Sequence, residues 1–175
     1  IAYTSVLRAD TSPLGLAAEH RETETIIAAS GLPHSLLRNG WYTENYTASI
    51  PPALAHGAFI GSAGAGRIAS AARIDYAEAA AVALVSDDAP RVVHELAGDV
   101  SYSLAEFAAE LSRQAGKTIP YVDMPEARYK EALLGAGLPE PLAALIADSD
   151  AAAAKGALND GTRTLSRLIV RPTTP

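Results

Sequence analysis

Two short apolar segments, Ile1–Ser5 and His34–Arg38, flank a stretch in which Leu16, Ile26 and Ile27 are interleaved with Glu19, Arg21, Glu22 and Glu24. Strand, amphipathic helix and strand inside the first 38 residues leave few folds open. Two strands joined by a helical crossover lie parallel, with a right-handed connection. Ser12-Pro13 carries the cap and first-turn proline that open a helix, so the crossover helix is expected from there to Gly31. The alternation continues. Arg91–Ala97 (RVVHELA) reads as a third core strand and Ile119–Val122 as a short one, while Ser103 with Glu106 caps a helix through Ala115. Asp75 with Glu78 reads as the cap of an alanine-rich helix ending near Val85. Pro51-Pro52 is expected to interrupt a helical stretch, and residues 58–72 to form a hairpin or irregular loop around Gly61–Gly66. The remainder reads as helical, with breaks between Gly135 and Pro141. The fold class is α/β.

Composition narrows the partners. Apolar residues make up 49% and charged residues 19%, enough to bury a core, and 37 alanines against 6% aromatics imply close backbone packing. A net charge of -6 argues against a phosphate backbone as partner, so no nucleic acid is expected. No run approaches 18 apolar residues, which predicts no membrane span, and no basic start with a cleavage pattern marks a signal peptide. The absence of cysteine removes thiolate chemistry and fits a reducing, cytoplasmic setting. The chain opens inside an apolar strand without an initiating Met, so it is expected to be part of a longer polypeptide.

Short motifs exclude more than they assign. Gly61 and Gly66 have the spacing of a phosphate loop, but Arg67 and Ile68 replace its lysine and hydroxyl, and Ala69 stands where a dinucleotide fingerprint needs a third glycine. His20, His34, His56 and His94 lack metal-ligand spacing, so no metal is expected. No G-x-S-x-G elbow is present. One segment stands out: Arg38-Asn39-Gly40-Trp41-Tyr42-Thr43-Glu44-Asn45-Tyr46 follows a parallel strand's C-terminal end, where α/β sheets place ligands. Its aromatic rings can wall a flat ligand, and its Asn side chains can hydrogen-bond an amide; a plain strand-end turn with a packed Trp is the alternative.

At these residues the chain resembles the NmrA-like branch of the atypical short-chain dehydrogenase/reductases, and within it the bacterial NAD(P)H:quinone oxidoreductases of type 2. The resemblance runs through IAYTS, ADTSPLGLAAEH, LLRNGWYTENY, FIGSAGAGRIASAARIDYAEAA, ELAGD and GLPEPLAALIADSD, covering nearly the whole chain. It implies the second half of a Rossmann-like parallel sheet plus a small α-rich C-terminal lobe. Residues 1–100 would belong to the NAD(P)-binding domain, with 53–74 contributing to the substrate cleft, and 101–175 to the substrate lobe. The glycine-rich half would precede Ile1 and occupy roughly 80 to 100 residues. Carried over, Thr4 and Ser5 would sit beside the nicotinamide, Asn39, Gly40, Trp41 and Tyr42 with Asn45 would form its far wall, and Arg73 would line the substrate cleft.

The resemblance breaks at the catalytic pair. No Tyr here has a Lys four residues later, and the corresponding positions are Leu16 and His20. Hydride addition to a ketone makes an alkoxide that needs an acid, whereas addition to a quinone makes a resonance-stabilised hydroquinone anion, so positioning supplies most of the catalysis. The implied function is reduction of a small-molecule quinone by direct hydride transfer from NADPH or NADH, without flavin or metal, with His20 either an assisting proton donor or a plain surface residue of its helix. A homodimer is one possible assembly. A non-catalytic dinucleotide redox sensor, or a piece inactive by itself, is the alternative.

Overall fold

The computed structural model describes residues 1–86 and 91–175. In chain order the elements are β1 (Ala2–Val6), α1 (Ala17–Ala29), β2 (His34–Asn39), α2 (Thr43–Thr47), α3 (Ile50–His56), β3 (Phe59–Gly61), α4 (Arg73–Val85), β4 (Arg91–Leu96), α5 (Leu104–Ala115), β5 (Tyr121–Asp123), α6 (Glu126–Gly135), α7 (Glu140–Ala153) and α8 (Thr164–Leu168). They divide into two compact units. The first comprises residues 1–44, 69–101 and 157–175, the second residues 45–68 and 102–156.

The first unit is built on a three-stranded parallel sheet in the order β1-β2-β4. The parallel β1/β2 pair with its α1 crossover is the arrangement the opening 38 residues predict, and β4 joins β2 as the third strand. The register aligns Ser5, Arg38 and Glu95 in one row across the sheet. Because side chains alternate along a strand, that row lies on one face. Leu37 and Leu96 point the other way, into a core with Ala71, Tyr76, Ala79, Leu165 and Ile169.

The second unit carries a two-stranded parallel sheet, β3 with β5, and the helices α3, α5, α6 and α7. Its aromatic core packs Phe59 against Phe107 at 5.0 Å between centroids with the rings tilted, and Tyr102 stacks on Phe107 at 5.9 Å. The predicted capping box of α5 forms: Ser103 Oγ accepts from Glu106 N, and Glu106 accepts from Ser103 N.

Three local expectations are corrected and a fourth is resolved between its alternatives. The crossover helix begins at Ala17, not at Ser12-Pro13, because residues 7–11 first turn at the end of β1, with Ser12 N bonded to Arg8 O at 2.7 Å. Pro51 and Pro52 start α3, where a missing N–H costs nothing, and do not interrupt it. Residues 58–72 take the irregular form of the two expected: the short β3 pairs with the distant β5, and the segment after it runs irregular, with Ile68 bridging Tyr102. Asp75 caps nothing from outside its helix: it lies in the first turn of α4, fully buried, and accepts from Arg171 Nη2 at 2.7 Å and Thr174 N at 2.6 Å. No helix among the described residues is long and apolar enough to cross a membrane.

Candidate functional site

The C-terminal end of β2 is held rigidly on both sides. Leu7 N donates to Asn39 O at 2.8 Å and Gly40 N to Leu96 O at 2.6 Å, so the chain leaves the sheet only at Trp41. Gly40 is tightly enclosed: a Cβ there would lie 3.0 Å from Leu96 O and 3.2 Å from the Tyr76 hydroxyl. Trp41 O accepts from Ala71 N at 3.2 Å, and Thr43 Oγ1 lies 2.9 Å from Ser70 Oγ. The turn is therefore tied to the segment that leads into α4. Glu44 completes the tie by accepting from Arg73 N at 3.0 and 3.1 Å, placing an acid at the electropositive start of that helix.

Within this frame Asn39 Nδ2 donates to Tyr42 Oη at 3.2 Å, which fixes the amide's orientation. Tyr42 is wedged edge-on against Tyr76 at 5.2 Å, and the Arg73 guanidinium sits 5.1 Å from the Tyr42 ring centroid. Two buried polar atoms of this segment have no partner among the described residues: Asn39 Oδ1, an acceptor, and Trp41 Nε1, a donor. Leaving such groups unpaired costs about 1–3 kcal/mol each, and protein structures retain few of them. One acceptor and one donor two residues apart complement a carboxamide, which offers an N–H and a C=O.

The other predicted site residues are placed as follows. Thr4 is exposed, while Ser5 is buried on the opposite face and donates to Glu24 Oε1 at 2.6 Å. Arg73 is exposed at the start of α4. Thr4, Ser5, Asn39, Gly40, Trp41, Tyr42 and Arg73 all belong to the first unit, whereas Asn45 on α2 is the first residue of the second. His20 is half-buried on α1, with its Nδ1 2.8 Å from Tyr3 Oη. Burial lowers the His20 pKa, outweighing the opposing pull of Glu24 and Glu19, so the imidazole is neutral at neutral pH.

Sequence reading missed the charged row beneath α1. Glu24 accepts Arg38 Nε at 2.9 Å and Nη2 at 2.7 Å, Arg38 Nη1 reaches Glu95 at 2.8 Å and Asp10 at 3.2 Å, and Glu95 also accepts Arg8 N at 2.7 Å. This last bond pins Arg8, whose φ of 52° is unusual for a residue with a side chain. A signal was present: Arg38 and Glu95 are charges inside two apolar strand patterns, and such charges inside a sheet must pair.

The glycine cluster is likewise explained from its donors. Ser62 N donates to Asp150 Oδ2 at 3.0 Å, Ala63 N to Tyr121 Oη at 3.0 Å and Gly64 N to Asp123 Oδ1 at 2.8 Å. Three successive N–H groups that would cradle a phosphate are already occupied by the unit's own side chains. Asp150 also accepts from Tyr46 Oη at 3.0 Å and is 1% exposed; burial pushes its pKa up to about 6. No cluster of metal-ligating side chains occurs among the described residues.

No protein-family model matches the chain. Quinone oxidoreductase 2 of Escherichia coli strain K12 is 56% identical over 174 residues, covering 99% of this chain and 61% of that protein. The chain is homologous to quinone oxidoreductase 2. A crystal structure of the E. coli NADPH-dependent quinone oxidoreductase complexed with NADPH superposes over all of this chain and 62% of that one, with a TM-score of 0.96. The Citrobacter sp. triphenylmethane reductase complexed with NADP(H) is 30% identical, with a TM-score of 0.91 over all of this chain and 61% of its own. The resemblance and the fold read from the sequence are thus borne out, and the chain spans about three fifths of the length of the relatives it matches.

Proposed function

We propose that this chain supplies part of the nicotinamide and quinone sites of an NADPH-dependent quinone reductase that transfers hydride directly, without flavin or metal. The observation that carries the reading is the orphaned pair Asn39 Oδ1 and Trp41 Nε1 at the sheet's C-terminal end, a donor and acceptor set that fits a nicotinamide carboxamide. The names of the relatives supply the cofactor and the substrate class: NADPH for one, NADP(H) for another, and quinone for the protein that is 56% identical. NADH is the competitor for the same pair.

When bound, the nicotinamide supplies the hydride. The chain's own residues do the rest. Asn39 and Trp41 orient the ring through its carboxamide, Tyr42, braced by Tyr76 and Arg73, offers it a flat wall, and Thr4 lies on the cofactor side. Arg73 faces the substrate. In this reading residues 1–100 carry the cofactor half and 101–175 the substrate lobe, and the cysteine-free chain acts in the cytoplasm. A quinone suits a site without the Tyr/Lys pair, because the anion left by hydride addition is an aromatic oxyanion needing one mild proton donor. His20 fills that role.

The test is single-turnover oxidation of NADPH by a simple quinone in the full-length protein, with the visible spectrum checked for bound flavin. Stoichiometric oxidation without a flavin band is expected. Saturable dinucleotide binding with no reduction of any quinone would replace this reading with that of a redox sensor.

A further inference from the structure

The backbone that leads into α4 is bonded on both of its sides. On one side Ala71 N donates to Trp41 O at 3.2 Å and Ala71 O accepts from Thr43 N at 3.0 Å, so Ala71 runs as a short parallel bridge beside Tyr42. On the other side Ala72 N donates to Thr174 O at 3.0 Å. Thr174 belongs to an irregular strap, residues 171–174, whose main anchor is a buried carboxylate. Asp75, 0% exposed, accepts from Thr174 N at 2.6 Å on Oδ2, and from Arg171 Nη2 at 2.7 Å and Thr174 Oγ1 at 3.2 Å on Oδ1. Arg171 Nε also reaches Glu78, one turn along α4, at 3.0 Å. Thr173 exchanges two bonds with Asp99 after β4: its N donates to Asp99 Oδ2 at 3.0 Å, and its Oγ1 accepts from Asp99 N at 2.9 Å. The entrance to the strap is strained. Val170, a β-branched residue, stands at φ 55°, and Arg171 N bonded to Ser166 O closes the turn around it. All of these residues lie in the first unit.

We propose that Asp75 and Arg171 are positioning residues for the candidate site: they seat the strap, the strap fixes residues 71–73, and these hold Trp41 and Tyr42 where the nicotinamide would lie. The proposal rests on the quinone-reductase reading. The path from strap to site is short and runs through backbone. It passes from Thr174 O to Ala72 N, one residue back to Ala71, and across to Trp41 O and Thr43 N, with no side-chain torsion to absorb a displacement. Tyr76, the neighbour of Asp75, adds a second path, its hydroxyl donating to Trp41 O at 3.4 Å and its ring meeting Tyr42 edge-on at 5.2 Å. A carboxylate buried at this point needs its partners, because leaving such a charge without them is costly. The strap therefore has one seat, and the wall beside it one position. Hydride transfer depends on that, since it requires the donor ring held within a narrow range of distance and angle from the acceptor.

The test uses the full-length protein and three strap variants. Arg171→Met removes the cation, Arg171→Lys keeps it, and Thr173→Val loosens the strap from Asp99 without touching a buried charge. In the ligand-free protein the Trp41 indole N–H resonance, assigned by its loss in Trp41→Phe, should be sharp in the wild type and broadened or doubled in Arg171→Met and Thr173→Val. Single-turnover hydride transfer from NADPH to a simple quinone should slow roughly tenfold in Arg171→Met and about threefold in Thr173→Val, part of the roughly hundredfold that a misplacement of about 1 Å costs. Arg171→Lys should restore most of the rate. Glu24→Gln, under α1 on the opposite face of the sheet, controls for lost stability alone and should keep the wild-type rate. An unchanged indole resonance or an unchanged rate in both Arg171→Met and Thr173→Val, or an equal slowing in Glu24→Gln, would overturn the positioning role while leaving the enzyme reading intact. A wild-type protein that binds NADPH but reduces no quinone would overturn both.

Discussion

Arg38 grips Glu24 with a two-point pair, Nε to Oε1 at 2.9 Å and Nη2 to Oε2 at 2.7 Å, under the helix that joins the first two strands. The pair is buried and Arg38 also faces Glu95 and Asp10, so one cation compensates three carboxylates. Arg38→Met should therefore cost more than Glu24→Gln: about 3 kcal/mol or more against roughly 1–2, because removing the cation leaves several acids uncompensated whereas the amide keeps an acceptor for Ser5. Urea unfolding of both variants decides the order.

The same pair sets an acid limit. Burial raises the Glu24 pKa, but hydrogen bonds from Arg38 and Ser5 together with the charge of Arg38 outweigh it and hold the carboxyl below its usual 4.5. A depressed folded value means that the stabilisation is complete above the unfolded pKa and is lost as pH falls through the folded one. Unfolding titrations should show stability declining below about pH 4.5, with the decline blunted in Glu24→Gln.

Asp150 titrates with the opposite sign. Its pKa rises from 3.8 to about 6 by burial, against hydrogen bonds from Ser62 N and Tyr46, so the folded state binds the proton more tightly and stability falls as pH rises across that window. Asp150→Asn can keep both contacts, its Oδ1 accepting from Ser62 N while its Nδ2 donates to Tyr46 Oη. The variant should match the wild type near pH 4 and exceed it at pH 8 by on the order of 2–3 kcal/mol, read from paired denaturant curves. Equal pH slopes for the two proteins would show that Asp150 ionises without cost.

Backbone proximity gives a cleaner contrast. A Cβ on Gly98 would stand 1.9 Å from Ser70 O, whereas one on Gly135, at the end of α6, meets nothing within 4 Å. Gly98→Ala should destabilise by about 3 kcal/mol or more, since backbone cannot swing aside. Gly135→Ala should stabilise by about 0.5 kcal/mol through helix propensity. Melting temperatures of the two single variants are the comparison.

How far these features are legible before the structure depends on their range along the chain. The β1-α1-β2 unit is readable because apolar spacing and a short crossover are local signals, and the Ser103/Glu106 box because its partners are three residues apart. Asp75 misleads for the converse reason: its partners Arg171 and Thr174 lie nearly a hundred residues away, so the sequence around it looks like an ordinary cap. The glycine cluster reads as a free loop because the groups that fill it, Tyr121, Asp123 and Asp150, come from later elements. At the site, the composition of Asn39–Tyr42 marks the place, but only the fixed orientation of Asn39 by Tyr42 shows which atoms remain unpaired.

Those unpaired atoms supply the last prediction. Trp41→Phe removes an orphaned buried N–H and also some ring area, two effects on stability of opposite sign, so the melting temperature of the ligand-free protein should move by no more than a few degrees. If Nε1 serves a carboxamide, the same change should weaken NADPH binding about five- to tenfold, the value of one hydrogen bond of roughly 1–1.5 kcal/mol. Asn39→Ala should behave differently, losing stability as well as affinity, because it also strips Tyr42 of its donor. A nicotinamide analogue whose carboxamide is replaced by a methyl ketone separates the two contacts: it keeps the C=O for Trp41 and lacks the N–H for Asn39. It should bind wild type more weakly than NADPH and should lose further affinity in Trp41→Phe but little in Asn39→Ala. If both variants lose affinity equally for NADPH and for the analogue, the pair does not read the carboxamide, and the orphaned atoms belong to some other ligand group or to bound water.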